Sequence, residues 1–156
     1  MIVVENLTKR FDGKIVLNNV SLEIHEGETF AIIGRSGSGK SVLMKHVIGL
    51  MKPDEGRVWI DDVDINKVSY KELRNVRQKF GVLFQGGALF DSMNAFDNVA
   101  FPLRMFTRMR EAEIEDRVNE CLSVVSLPDA GKKRISELSG GMQKRAGLAR
   151  AMALDP

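Results

Sequence analysis

The stretch "GRSGSGKS", Gly34–Ser41, decides how this chain is read. Its spacing is G-x-x-x-x-G-K-[ST], and its glycines at 34, 37 and 39 let the backbone curl until several N–H groups converge on one point. The residues on either side supply the context this motif needs. "TFAII", Thr29–Ile33, is short and continuously apolar, which predicts a strand buried on both faces of a parallel sheet. From Lys40 the pattern predicts a helix to Leu50, whose N-terminal dipole would face the loop. A strand, a glycine loop and a helix in that order make a cradle for phosphate. Lys40 would neutralise the outer phosphates and the Ser41 hydroxyl would ligate Mg²⁺.

Asp12-Gly13 lies between two β-rich runs and predicts a hairpin. In the second run Val20, Leu22 and Ile24 alternate with Ser21 and Glu23, as in a half-buried strand. "PDEG", Pro53–Gly56, predicts a turn before the strand "RVWI". Ser69 and Glu72 form a capping box for a helix to about Gln78. "FGVLF", Phe80–Phe84, reads as a second buried strand, followed by a loop and short helix up to Phe106. Acids at 111, 113, 115 and 116 crowd the start of a helix reaching about Ser126. Ile114, Val118, Cys121 and Val125 share one face of it, so the single cysteine reads as packed rather than reactive. Ser139 caps a last helix whose apolar face is Met142, Ala146, Ala149 and Ala153. The fold class is α/β, with an attached antiparallel β subdomain and a helical subdomain.

Composition narrows the classes. The 156 residues are 44% apolar and 28% charged, with a net charge of +2, which is no footprint for nucleic acid. Lys132-Lys133-Arg134 reads as a solvated loop. One cysteine allows no internal disulfide and suits a reducing compartment. No stretch approaches the ~18 apolar residues of a membrane span, so a membrane connection would come through a partner. The acidic run Asp61–Asn66 fails as a calcium loop, because Lys67 and Leu73 stand where glycine and glutamate are needed. His25 and His46 are assigned no chemistry.

Four further stretches, in order along the chain, resemble an ABC-type ATPase. "LSGGM", Leu138–Met142, is similar to the family's signature motif, and Gln85 to its Q-loop glutamine. Phe11 is similar to the aromatic that stacks on adenine, and "ARAMALDP", Ala149–Pro156, to the helix and turn before the Walker B strand. "LFQGGALFDSMNAFDNVAFPLRM", Leu83–Met105, resembles the Q-loop region of ATPases of Mla/Mce-type lipid transporters, and Met142 in the signature points the same way.

The resemblance implies a P-loop NTPase of ABC type: a RecA-like parallel core, an antiparallel β subdomain and a helical subdomain. Residues 1–84 would form the β subdomain and P-loop core. Residues 85–137 would form the Q-loop and helical subdomain, and 138–156 the signature motif and its helix. It implies ATP and Mg²⁺ as cofactors. Phe11, Gly34, Arg35, Ser36, Gly37, Ser38, Gly39, Lys40, Ser41 and Val42 would hold the nucleotide from one side. Ser139, Gly140 and Gly141 of a second, head-to-tail copy would close the other side. Lys40 and Gln85 would be catalytic, and Ser41 and Gln85 metal ligands. Val42 departs from the family, where a hydroxyl is common. The implied partners are a transmembrane permease, near Asn94–Leu103, and a second ATPase subunit, with no nucleic acid. The implied place is the cytoplasmic face of a bacterial inner membrane, and the implied work is ATP-driven phospholipid transport.

The resemblance also implies that the Walker B aspartate and the glutamate that activates water come after Pro156. On that expectation the 156 residues alone would bind nucleotide weakly, hydrolyse none and leave "TFAII" uncovered. Three alternatives stay open: an ABC transporter of another cargo, a soluble ABC-fold protein, and a non-enzymatic binding module.

Overall fold

β1 (Ile2–Phe11) and β2 (Lys14–Ile24) form the hairpin that Asp12-Gly13 predicts, with both turn residues at positive φ, 48° and 77°. The pairing slips between Val4 and Arg10, and two side-chain hydroxyls take up amides there. Asn6 N–H donates to Ser21 Oγ at 2.9 Å and Asn19 N–H to Thr8 Oγ1 at 3.1 Å. β3 (Glu55–Ile60) pairs antiparallel with the other edge of β1, and the two-residue β4 (Val63–Asp64) pairs with β3. The sheet order is β2-β1-β3-β4, antiparallel throughout. α1 (Lys40–Val47) packs against β2. α2 (Tyr70–Arg77) starts with the predicted capping box, in which Glu72 N–H donates to Ser69 Oγ at 3.3 Å and Ser69 N–H to Glu72 Oε2 at 2.8 Å.

The computed structural model describes residues 1–156, and they divide into two units, Met1–Arg77 and Gln78–Pro156. In the first unit Val4, Leu7, Leu17, Leu43, Val58 and Ile60 are buried. His46 on α1 is fully buried too; its Nδ1 lies 2.7 Å from the Val42 carbonyl and donates to it, leaving Nε2 without a partner.

The second unit is helical: α3 (Ala95–Phe106), α4 (Glu111–Val124), a single 3₁₀ turn (Ile135–Glu137) and α5 (Gly140–Met152). Its core joins Val99 and Leu103 of α3, Ile114, Val118 and Cys121 of α4, and Ala146 and Ala149 of α5. The face read from the sequence on α4 is therefore the buried one, and burial pushes the Cys121 thiol pKa up. Two arginines tie α4 and α5 together by satisfying each other's C-terminal carbonyls. Arg145 of α5 donates to Val125 O and Ser126 O, at 3.1 and 3.0 Å. Arg117 of α4 donates to Ala153 O and Met152 O, at 3.1 and 2.9 Å.

Four expectations need correction. Thr29–Ile33 forms no strand, while its exposure, Ile33 at 94%, is the uncovered state expected of these 156 residues alone. Phe80–Phe84 likewise forms no strand, with Leu83 and Phe84 more than 40% exposed. No parallel sheet forms within residues 1–156, where the one sheet is antiparallel. The reason is common to all three: an apolar run buries as a strand only when a neighbour pairs its amides and carbonyls, and no segment of residues 1–156 does so here. Finally, α1 stops at Val47 rather than Leu50, because Gly49 adopts φ 69° and ends the helix.

Candidate functional site

The loop from Gly34 runs straight into α1, and Gly39 stands at its N-cap with φ 93°. A β-carbon there would lie 3.0 Å from both Val16 O and Leu17 Cδ2, so β2 pins the loop at a point only glycine fits. Lys40 reaches back over the loop, its ammonium donating to Gly34 O at 2.7 Å and Arg35 O at 2.8 Å. Ser38 N–H closes the loop internally on Arg35 O at 3.2 Å. The amides of Gly39, Lys40, Ser41 and Val42 have no acceptor in the chain, as the first turn of a helix dictates. The site therefore offers one ammonium, four amides at a helix N-terminus and the Ser41 hydroxyl, and no carboxylate pairs with Lys40. Such a donor set fits a polyanion. No group of three or more His, Cys, Asp or Glu could hold a metal ion, and Ser41, whose hydroxyl was expected to meet one, lies in the first turn of α1. The other predicted contacts of the cradle, Arg35, Ser36, Gly37 and Ser38, are all exposed. Phe11 ends β1, 40% exposed, with Lys9 Nζ 5.6 Å from its ring centroid.

The second unit carries the remaining predicted residues. Ser139 caps α5, its Oγ accepting from Met142 N–H at 3.3 Å, which leaves its hydroxyl hydrogen free to donate outward. Gly140 and Gly141 are exposed, and a β-carbon on either would meet nothing within 4 Å. Gln85 is exposed in a tight turn that Gly87 N–H closes on Phe84 O at 2.8 Å.

The residues that hold this turn were missed in the sequence. Arg150 of α5 donates through Nη1 to Ala88 O and through Nη2 to Gly87 O, both at 2.8 Å. Burial pulls the pKa of this guanidinium down from its ordinary value. Asn98 of α3, fully buried, accepts from Phe90 N–H at 2.8 Å and donates to Phe90 O at 3.1 Å. Gly147 was the available signal: a glycine inside a helix marks a close approach, here to Gly87.

Comparison with known proteins decides the family. The family model described as "ABC transporter" matches residues 17–156. The chain belongs to the ABC transporter family. A curated ABC transporter relative in Mycobacterium leprae, "Probable ribonucleotide transport ATP-binding protein mkl", is 52% identical over 155 residues, covering 99% of this chain and 45% of its own length. A second, "Intermembrane phospholipid transport system ATP-binding protein MlaF" of Haemophilus influenzae, is 44% identical over 156 residues, covering all of this chain and 59% of its own. The chain thus spans about half the length of these ABC transporter relatives.

Among solved structures, the dimeric ATP-binding cassette MJ0796, in a post-hydrolysis state bound to ADP and Pi, matches with a TM-score of 0.92 and 38% identity. The match covers all of this chain and 71% of that one, so the α/β class and ABC-type architecture hold. The ABC family match begins at Leu17, and Phe11 lies outside it. No helix of this ABC transporter chain is long and apolar enough to cross a membrane.

Proposed function

We propose that this chain belongs to the ATP-binding and ATP-hydrolysing subunit of an ABC transporter, working as a head-to-tail dimer beneath a membrane-spanning permease. The observation that carries the reading is the cradle at 34–42, where four amides without an acceptor in the chain lie beside a Lys40 ammonium that bonds loop carbonyls and no carboxylate. Gly34, Arg35, Ser36, Gly37, Ser38 and Gly39 give the curled backbone. The amides of Gly39–Val42 and the Lys40 ammonium bind phosphate oxygens, the ammonium exchanging neutral carbonyl acceptors for anionic ones. Val42 contributes only its amide. Phe11 offers a ring face for the base. Mg²⁺, when bound, would neutralise charge between the outer phosphates, with Ser41 and Gln85 as its protein contacts. Ser139, Gly140 and Gly141 of the second copy present a hydroxyl and helix-end amides to the same phosphates.

The place of the subunit is the cytoplasmic face of a bacterial inner membrane, held there by the permease through the region Asn94–Leu103. For cargo we propose phospholipid. The stretch Leu83–Met105 and the 44% identity with the phospholipid-system relative support it. A second reading, ribonucleotide, is favoured by the name of the 52% identical relative.

The test is the native-length protein with its co-expressed membrane partner, reconstituted in vesicles. ATP hydrolysis lost on Lys40→Ala is expected, with labelled phospholipid moving between leaflets or to acceptor vesicles in an ATP-dependent way. ATP-driven uptake of labelled ribonucleotide with no lipid movement would select the second reading. Hydrolysis indifferent to Lys40→Ala would end both.

A further inference from the structure

The turn that presents Gln85 is built against one face of α5. Gln143, Gly147 and Arg150 lie four and three residues apart, one stripe along the helix. All three meet the residues just after Gln85. A β-carbon on Gly87 would lie 3.2 Å from Gln143 O, and one on Gly147 would lie 3.0 Å from Gly87 Cα and 3.1 Å from Gly87 O. Arg150 completes the stripe, its two terminal nitrogens each 2.8 Å from successive carbonyls, Gly87 O and Ala88 O.

Two features set Arg150 apart from an ordinary surface arginine. No carboxylate is paired with it; its partners are the two carbonyls and the Phe90 ring, whose centroid lies 5.8 Å from Cζ. The backbone it grips is also held in an uncommon shape, since Ala88 has φ 48°, a left-handed conformation that costs a residue with a β-carbon. Asn98 then fixes the chain from the α3 side by taking both polar groups of Phe90. The downstream arm of the Gln85 turn is therefore clamped twice. The α5 clamp sits on the same helix whose other end is Ser139, eleven residues away, or about 16 Å along the axis.

We propose that Arg150 is a positioning residue for Gln85: its forked grip on Gly87 and Ala88 fastens the Gln85 turn to α5, so that Gln85 and the Ser139–Gly141 end of that helix move as one body. The inference rests on the proposed ATPase function for the meaning of Gln85, but the clamp itself is a separate claim. Arg150 acts through Gln85 and touches neither nucleotide nor metal. A nucleotide drawn onto Ser139–Gly141 would then carry Gln85 with it, and a loosened grip would uncouple the two.

Arg150→Lys tests this, because it keeps the charge and the aliphatic stem and loses the fork. The native-length protein is used, with two readouts. The first is hydrogen exchange, which needs no activity. In Arg150→Lys, residues 84–90 are expected to exchange at least ~10-fold faster, with α3 and the first turns of α5 unchanged. Unchanged exchange in 84–90 would overturn the clamp, whatever the protein's function.

The second is steady-state kinetics at varied Mg²⁺. Arg150→Lys is expected to lower kcat by ~10- to 100-fold, to leave the ATP KM within ~3-fold, and to raise the Mg²⁺ needed for half-maximal rate. Combined with Gln85→Ala it should add less than ~2-fold to the loss from Gln85→Ala alone. Full multiplication of the two losses, or a kcat equal to that of the unmodified protein, would overturn the positioning role. Should Arg150→Lys fail to fold, Gly147→Ala pushes on Gly87 with Arg150 intact and is read by the same exchange and kinetic criteria. A parent protein that hydrolyses no ATP would refute the proposed function and leave the exchange result to decide the clamp.

Discussion

Asn98→Ala should destabilise the helical unit by about 2–4 kcal/mol, and the structure says where that cost arises. Asn98 is fully buried, yet it lies in a helix whose neighbouring buried residues are Ala95, Val99, Ala100 and Leu103. Its amide bridges α3 to the strandless segment before it. Oδ1 accepts from Phe90 N–H at 2.8 Å, and Nδ2 donates to Phe90 O at 3.1 Å and Asn94 O at 2.9 Å, with Met93 O at 3.5 Å a weak third acceptor. The two carbonyls have second partners, since Phe90 O also accepts from Met93 N–H and Asn94 O from the Asn98 amide. Phe90 N–H has none. The alanine variant therefore orphans one part-buried donor, at about 1–3 kcal/mol, and forfeits two ordinary bonds at about 1 kcal/mol or less each. Against a domain of this size the sum corresponds to roughly 5–15 °C in Tm. Thermal melting of the native-length protein, followed by a probe of the helical unit, reads it. Asn98→Asp sharpens the test. It keeps the acceptor for Phe90 N–H but turns the donor into an oxygen facing two carbonyls. At neutral pH it should be at least as damaging as alanine. Because that new carboxyl is favoured protonated in the fold, its pKa is raised, and stability should recover as pH falls through that value. A loss under about 1 kcal/mol for alanine, or an aspartate variant as stable as the parent at pH 7, would refute the role given to this side chain.

Gly147→Ala should lose about 1–3 kcal/mol through contact with Gly87 despite alanine's better helix propensity, measurable as a lower Tm. Arg117→Met keeps the stem and loses the two bonds to Met152 O and Ala153 O; a drop of about 1–2 kcal/mol is expected, with faster exchange confined to the end of α5. Asp54 is held below the usual carboxylate range by its hydrogen bond from Lys9 and by the Arg10 amide. Its contribution is thus fully present above pH about 4 and is lost as pH falls through the lower folded value. The Tm gap between the parent and Asp54→Asn should be open at pH 7 and shrink below pH 4; a gap constant with pH would contradict the assignment.

The backbone of the candidate site was legible because its geometry is local. The 34–41 loop announces itself through glycines that only a curled backbone needs, and Gly39 does adopt φ 93° against β2. Asp12-Gly13 and the Ser69–Glu72 capping box are local in the same sense, and both formed as read. Thr29–Ile33 and Phe80–Phe84 form no strand because an apolar run signals a wish for burial and says nothing about which strand will pair with it. Arg150 and Asn98 were invisible for a different reason. Their partners are backbone carbonyls and amides, which every residue carries, so no side-chain pattern in the sequence marks the contact. Gly147 was the one visible trace, a helix glycine whose cost made sense only once Gly87 was found against it.

The central claim is that residues 34–42 hold the phosphates of a nucleotide. Calorimetric titration of ATP with Mg²⁺ into the native-length protein and its Lys40→Ala variant tests it most directly. Removing one charge-assisted contact of about 1.5–3 kcal/mol should weaken binding by roughly 10- to 100-fold, with the Tm in the absence of nucleotide lowered only by the loss of the two loop bonds to Gly34 O and Arg35 O. Equal affinity in the two proteins would contradict the account.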